Sequence, residues 1–185
     1  SECMRMSRLV RDMLLLASSD ADKWTVQTAE INVDTLLISL YEAYEPVCIK
    51  EKLHLNLDLN KTSFPKLITD RERLYQILSV FMDNAIYYSP PGASIDICAG
   101  LLPKEITISI VDHGCGIADK DKPYIFDRFY CADKSRSDKT HFGLGLSIAF
   151  ELSKMLGGTV GHTDTAGGGA TFYVTLPLKS LLGFD

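Results

Sequence analysis

Three short segments of this sequence carry residues that could hold a phosphorylated ligand. Asn84 falls at the edge of the apolar stripe of a predicted helix, where its amide loses hydration unless a ligand, Mg²⁺ or backbone meets it. Residues 112–116, DHGCG, directly follow a predicted strand. A strand-end carboxylate can accept a hydrogen bond from an exocyclic amine, and glycine lets the backbone approach a flat ligand. Residues 143–146, GLGL, open a predicted helix, whose unpaired N–H groups favour phosphate.

Each of these patterns also has an ordinary structural explanation. Asn84 could bond to neighbouring backbone, DxGxG occurs in plain turns, and GLGL could be a linker. Residues 167–171, GGGAT, are an ordinary hairpin loop unless they face the same ligand. GLGL is not a Walker loop, because no Lys-Ser or Lys-Thr pair follows it. It is not a dinucleotide fingerprint either, because Ile148 stands where the third glycine belongs.

The elements that must position these segments are predicted from the spacing of apolar residues. At 100° per residue, one arc of the helix predicted from Asp70 to about Tyr88 is apolar. Its members are Leu74, Ile77, Leu78, Phe81 and Ala85. The other predicted helices cover 1–18, 35–50 (with Asp34 as cap and Pro46 as a bend or interruption) and about 144–156. The predicted strands cover 25–32, 53–59, 94–99, 105–111, 159–163 and 170–176.

These elements indicate an α+β protein, a two-layer α/β sandwich. Its mixed sheet would have about five strands, with three main helices on one face. The length of 185 residues is enough for one domain, and the formal charge of −5 gives no basic field for nucleic acid or an anionic membrane. The longest apolar run, 13–17, is far shorter than the ~20 residues of a membrane span. The five cysteines form no CxxC pair, and no signal peptide opens the chain, so a reducing cytosol is the simplest compartment.

The order of the motifs resembles one superfamily. The chain is similar to the ATP-binding catalytic domain of bacterial sensor histidine kinases, with its N, G1, F, G2 and G3 boxes. The matching segments are DRERL at 70–74 through MDNA at 82–85, DHGCGI at 112–117, IFDRFY at 125–130, FGLGLSIA at 142–149 and GGGATF at 167–172. The resemblance covers about 25–178 and implies a Bergerat-type nucleotide fold over 23–185. Residues 1–22 resemble the end of the second helix of a dimerisation and phosphotransfer hairpin.

The resemblance implies roles for individual residues. Asn84 would be the Mg²⁺ ligand, and Arg136 would reach the phosphates, so these two residues would be the catalytic ones. Asp112 would accept the adenine amino group. The further nucleotide-binding positions would be Tyr88 near the adenine or ribose, Gly114 and Gly116 in the closing loop, Gly143, Leu144, Gly145 and Leu146 at the triphosphate, and Thr171 at the adenine end. A lid at about 128–142, anchored by Phe126 and Phe129, would order with ATP.

Four positions depart from the pattern of this family, one of them His141, which stands where the G2 box usually has its first glycine. Val80 stands where histidine kinases often have Asn, and where related ATPases have a water-activating Glu, so it argues against a hydrolase. Tyr87 and Cys131 stand where basic residues are common, which puts the rate of catalysis in doubt more than binding. Lys134 or Lys139 could replace the lost positive charge.

The activity implied is donation of the ATP γ-phosphoryl group to a histidine outside this chain. None of the four histidines lies in an amphipathic helix beside an acidic residue, so we expect no autophosphorylation by this chain alone. ATP and Mg²⁺ would be bound, and the partners would be an acceptor hairpin, a response regulator and a second copy of the full-length protein. That protein would be cytoplasmic or anchored in the membrane, and would not bind nucleic acid. The alternatives are a degenerate nucleotide-binding signalling module and, ranked below it, a self-contained ATPase.

Overall fold

A computed structural model describes residues 25–59, 64–131 and 143–178. The helices in these ranges are α1 (Val33–Lys50), α2 (Arg71–Tyr88) and α3 (Gly145–Met155). The strands are β1 (Ala29–Ile31), β2 (His54–Asp58), β3 (Leu67–Thr69), β4 (Ser94–Leu101), β5 (Glu105–Asp112), β6 (Thr159–Asp164) and β7 (Ala170–Pro177), and a 3₁₀ turn covers Lys122–Tyr124. The helix predicted over 1–18 and the boundary between 22 and 23 lie outside the described residues and stay predictions.

The main sheet has five strands in the order β2-β4-β5-β7-β6. Strands β2 and β4 are parallel, whereas the other three neighbouring pairs are antiparallel, so the sheet is mixed as predicted. Burial alternates along the strands: Ile106, Ile108 and Ile110 of β5 are buried, and the residues between them are half-buried. One face of the sheet therefore carries the core and is covered by the helices. The α+β two-layer arrangement is confirmed.

Helix α2 forms the centre of that core. Asp70 begins the helix as its N-cap, since its Oδ1 accepts hydrogen bonds from the N–H groups of Glu72 and Arg73, both at 3.1 Å. The five predicted core positions are all buried, and the Phe81 ring stacks on Phe172 of β7 at a centroid distance of 5.6 Å. The 3.6-residue period therefore predicted correctly which face of α2 is buried.

The start of α1 differs from the prediction. Asn32, not Asp34, is the N-cap, because its Oδ1 accepts a hydrogen bond at 2.9 Å from the N–H of Thr35. Asp34 lies instead in the first turn, where a negative charge favours the positive end of the helix dipole. Pro46 does not interrupt the helix, which continues to Lys50. Pro46 is exposed, so water can satisfy the carbonyl that its missing N–H leaves free.

A second, two-stranded sheet joins the first described residues to the region before α2. Strand β1 is antiparallel to β3, with Ala29 opposite Thr69 and Ile31 opposite Leu67. The strand predicted over 25–32 is thus only three residues long, and its partner β3 was not predicted. Strands of this length show no usable alternation, so only pairing in the fold defines them.

Candidate functional site

Three residues of α2 form a stripe along one side of the helix: Val80, Asn84 and Tyr88. They are spaced by four residues, share one helix face, span about 12 Å and are all half-buried. At one end, a Cβ added to Gly145 at the start of α3 would lie 3.2 Å from Cγ1 of Val80. At the other end, a Cβ added to Gly114 would lie 2.4 Å from the carbonyl oxygen of Tyr88. The stripe therefore connects the start of α3 to the loop after β5, with Asn84 between them.

Asn84 carries an unsatisfied amide. Its Nδ2 is buried and has no hydrogen-bond partner among the described residues. Buried side-chain amides in folded proteins are normally hydrogen-bonded, because leaving one unpaired costs about 1–3 kcal/mol. Bonding to neighbouring backbone, the ordinary explanation for this residue, does not account for that nitrogen. The unpaired Nδ2 is a hydrogen-bond donor that suits an acceptor on a ligand, and the amide oxygen of the same side chain is of the kind that a divalent cation takes together with phosphate oxygens.

Asp112 is the last residue of β5, a central strand, and the residue is only 3% exposed. Its Oδ1 accepts hydrogen bonds from the N–H of Gly114 at 2.9 Å and from the N–H of Ala170 at 3.1 Å. Burial raises the pKa of this carboxyl, while the two backbone hydrogen bonds and the neighbouring His113 act in the opposite direction. Both bonds hold one oxygen, so the carboxyl group is fixed in orientation and its Oδ2 can accept a further donor.

The two glycine-rich loops pack directly on each other. Gly169 has a φ of +112°, and a Cβ there would lie 2.0 Å from the carbonyl oxygen of Asp112. Gly116 has a φ of +71°, and a Cβ there would lie 3.2 Å from the carbonyl oxygen of Gly169. These contacts require the absence of side chains. Residues 167–169 are therefore more than a hairpin loop, because they close one side of the site.

The N-terminus of α3 forms the opposite end of the site. Leu144 is buried at the N-cap position, and no side chain caps this helix within the part of the chain described. The Ser147 hydroxyl donates instead to the Leu144 carbonyl at 2.8 Å. First-turn N–H groups without a side-chain cap, at the positive end of a helix dipole, suit an anion. Leu144 is buried and Leu146 is half-buried, and their place at the triphosphate stays a prediction.

The segment before the predicted lid packs against α3 and β6 through the ring of Phe126. The half-buried Phe126 ring lies 6.0 Å from Phe150 and 6.3 Å from His162, measured between centroids. The Phe129 ring, in contrast, is 60% exposed, and its φ of +65° is left-handed. The backbone N–H of Phe129 donates to the Gly143 carbonyl at 2.9 Å. Residues 132–142 of the predicted lid lie outside the described residues, so the role of Phe129 as a lid anchor stays a prediction.

The remaining predicted residues fall into two groups. Thr171 follows Ala170 in β7, and its Oγ1 lies 2.9 Å from Oγ1 of Thr165, at the same end of the site as Asp112. Arg136, Lys134 and Lys139 lie outside the described residues, so their roles stay predictions. Sequence reasoning missed the Ala170 N–H as a partner of Asp112, although its position directly after three glycines was a possible signal.

The structure gives contacts for two of the positions that depart from the family pattern, Val80 and Tyr87. Val80 packs beside Gly145, so an apolar side chain borders the start of α3. The Tyr87 ring meets Tyr88 edge-on at a centroid distance of 4.8 Å. Neither neighbour supplies positive charge to the site.

Helices of the described ranges are all too short or too polar to cross a membrane.

Comparison with known proteins gives a consistent result. Residues 69–180 match the family model described as "Histidine kinase-, DNA gyrase B-, and HSP90-like ATPase". The chain is 33% identical over 163 residues, 86% of its length, to the signal transduction histidine-protein kinase ArlS of Staphylococcus haemolyticus. It is 31% identical over 183 residues, 97% of its length, to the sensor histidine kinase WalK of Bacillus subtilis. It spans 35% and 30% of these two relatives, about a third of their length.

A solved structure shows the same fold. Full-length ShkA in complex with AMPPNP matches 94% of this chain with a TM-score of 0.82 and 26% sequence identity. The chain covers 36% of ShkA.

Proposed function

Because the chain belongs to the family of histidine kinase-, DNA gyrase B- and HSP90-like ATPases, we propose that it binds Mg-ATP between α2, the loop 112–117 and the start of α3. In this proposal the γ-phosphoryl group passes to a histidine on a helical hairpin outside this chain. The single observation that carries the proposal is the buried Nδ2 of Asn84, which has no hydrogen-bond partner among the described residues, on a helix stripe whose ends lie beside Gly114 and Gly145.

Asp112 selects the base in this proposal. The N–H groups of Gly114 and Ala170 hold its Oδ1, so the carboxyl keeps one orientation before a nucleotide arrives. Its Oδ2 then accepts a hydrogen bond from the exocyclic amine of adenine, which a guanine carbonyl at that place could not donate. Tyr88, Gly114, Gly116 and Thr171 would line this end. Gly114 packs against the Tyr88 carbonyl and Gly116 against the Gly169 carbonyl, so the glycines let the backbone close tightly around the base.

Asn84 and the start of α3 bind the phosphates. Asn84 would hold Mg²⁺ through its amide oxygen, and the bound ion would neutralise phosphate charge during transfer. The residues from Gly143 to Leu146 offer backbone N–H groups and a helix dipole to the same phosphates. Arg136 would add positive charge. Phosphoryl transfer then depends on alignment and charge neutralisation, and no residue of the chain needs to act as a covalent intermediate.

The similarity to proteins named histidine kinases favours transfer to a histidine over hydrolysis. Val80 supports the same conclusion, because an apolar residue beside Gly145 cannot activate water at the phosphate end. AMPPNP, an ATP analogue, is named as the ligand of ShkA, which supports a nucleotide at this site. A response regulator would accept the phosphoryl group from the histidine, and a second copy of the full-length protein would complete the kinase, which would work in the cytoplasm or anchored at a membrane.

The test separates binding from transfer. Titration calorimetry with AMPPNP, with and without Mg²⁺, measures binding by this chain, and Glu105→Gln, an exposed position at the opposite end of β5 from Asp112, serves as a control that should bind normally. Radiolabelled ATP with a separate hairpin that bears an acceptor histidine then measures transfer. Phosphohistidine is the expected product. Normal binding with no phosphohistidine would leave only a nucleotide-binding module, and steady release of phosphate by the chain alone would indicate an ATPase.

A further inference from the structure

We propose that Asp70 is a positioning residue that fixes the chain segment entering the domain to the helix that carries Asn84. In this way it sets how the nucleotide faces a phosphoacceptor on the N-terminal side of the domain. The inference rests on the proposed function, because such positioning matters only where a phosphoryl group is transferred to that side.

Both oxygens of the Asp70 carboxyl are in use, for different purposes. Oδ1 accepts the N–H groups of Glu72 and Arg73 and so caps α2. Oδ2 accepts the backbone N–H of Gln27 at 3.0 Å, a residue 43 positions earlier in the chain. Asp70 is only 6% exposed, so water screens these hydrogen bonds little. One buried side chain therefore joins the entering segment to the first turn of α2.

The short β1–β3 ladder reinforces this junction. Strand β3 ends at Thr69, directly before Asp70, and Thr69 is opposite Ala29. An ion pair between Lys66 and Glu30 adds a contact at the exposed side. A two-stranded ladder of three residues is weak by itself. The hydrogen bond to Gln27 extends the junction by a further attachment point before β1.

Capping of α2 does not require the second oxygen. Asn and Ser are N-caps as good as Asp, and each offers a single side-chain acceptor. The use of Oδ2 on Gln27 is therefore additional to the stability of the helix. Helix α2 is continuous from Asp70 to Asn84, a length of about 21 Å. A segment that is fixed at the start of α2 thus has a defined position relative to Asn84.

Substitutions can remove this attachment and keep the cap. In Asp70→Asn the amide oxygen can still cap α2. The NH₂ group then faces the Gln27 N–H, and because both groups are donors no hydrogen bond forms between them. In Asp70→Ser the Oγ can cap α2, but the shorter side chain has no second oxygen to accept the Gln27 N–H. Gln27→Pro deletes the donated N–H and leaves α2 unchanged. Glu72→Gln is the matched control, because it removes one negative charge from the same helix turn without touching Gln27.

The measurement compares transfer in cis and in trans. In cis, a helix bearing the acceptor histidine precedes Ser1 in the same chain; in trans, the acceptor hairpin is a separate molecule. We expect Asp70→Asn, Asp70→Ser and Gln27→Pro to slow transfer in cis about tenfold or more, because misplacement of reacting groups is costly. Transfer in trans and AMPPNP affinity should stay within about twofold of wild type, and Glu72→Gln should match wild type in every assay. Hydrogen exchange at Gln27 should accelerate about 10–100-fold in the two Asp70 variants.

Three results would overturn the proposal. Equal losses in cis and in trans, or a loss of AMPPNP affinity, would show that Asp70 only supports the helix. An equal loss in Glu72→Gln would show a charge effect. Unchanged transfer in cis would show that the attachment does not position the acceptor. Failure of the proposed function can be distinguished from failure of this proposal, because the wild-type chain would then transfer no phosphoryl group to the hairpin in trans.

Discussion

The carboxyl of Asp112 accepts a hydrogen bond at 3.1 Å from the backbone N–H of Ala170, which lies 58 residues further along the chain. This bond joins the end of β5 to the start of β7 and holds the two glycine-rich loops together. It also fixes Oδ1, so that the other oxygen can be offered to a ligand. Orientation of a buried carboxyl before binding reduces the entropy that binding must overcome.

We expect Asp112→Asn to bind AMPPNP about 10–100-fold more weakly than wild type. The substituted side chain keeps one oxygen for the backbone N–H groups, but presents an NH₂ group where the adenine amine donates. A hydrogen bond to a charged group contributes about 1.5–3 kcal/mol, which corresponds to this loss. Titration calorimetry measures it, with Glu105→Gln at the other end of β5 as the control. Equal affinity in wild type and Asp112→Asn would mean that Asp112 does not contact the base.

We expect Asn84→Ala to lose the Mg²⁺-dependent part of AMPPNP binding with little loss of stability. Removing a buried amide whose nitrogen has no partner costs no internal hydrogen bond at that atom, so the free energy of unfolding should change by less than about 1 kcal/mol. Calorimetry with and without Mg²⁺, together with urea unfolding, checks both parts. A strongly destabilised variant that retains full Mg²⁺ dependence would show that the amide is structural.

We expect Gly169→Ala to destabilise the protein by about 2 kcal/mol or more. The added methyl group would lie 2.0 Å from the Asp112 carbonyl oxygen, and alanine rarely adopts a φ of +112°. Gly100→Ala is the control, because a Cβ there meets nothing within 4 Å. Urea unfolding compares the two. If both variants unfolded at the same urea concentration, the packing of the two loops would be looser than the structure shows.

We expect the stability of the wild-type protein to fall as the pH is lowered through the region below about 6.5, partly because of His162. Burial lowers the pKa of His162, and the nearby charge of Lys122 lowers it further, while Asp164 raises it. The unfolded chain therefore binds this proton more readily than the folded protein, so the free energy of unfolding decreases with falling pH until the lowered pKa is passed.

His162→Phe should reduce this decrease, because phenylalanine carries no titrating group and can pack against the rings of Phe126 and Phe172. Urea unfolding at several pH values between about 5.5 and 7.5 measures the slope. This range avoids lower pH, where protonation of Asp112, whose pKa burial raises, contributes with the opposite sign. An identical slope in the variant would exclude His162 as its source.

The sequence by itself determined the elements with a strong local period. The apolar arc of α2, the alternating strands β4, β5 and β7 and the stop after Tyr88 all follow from neighbouring residues, because helix and strand periods are local properties. The order of the motifs also identified the family and named Asn84 and Asp112. Asn32 was missed as a cap because Asn32 and Asp34 are both good capping residues, and two positions separate them.

Only the tertiary structure decided how those residues meet. That Gly169 packs on Asp112, that the Phe129 ring is exposed, and that Asp70 reaches Gln27 depend on contacts between residues far apart in the chain. That the amide nitrogen of Asn84 has no partner among the described residues likewise follows only from the positions of its neighbours in space. Local sequence carries propensities, whereas burial and hydrogen bonding are set by which distant segments the fold brings together.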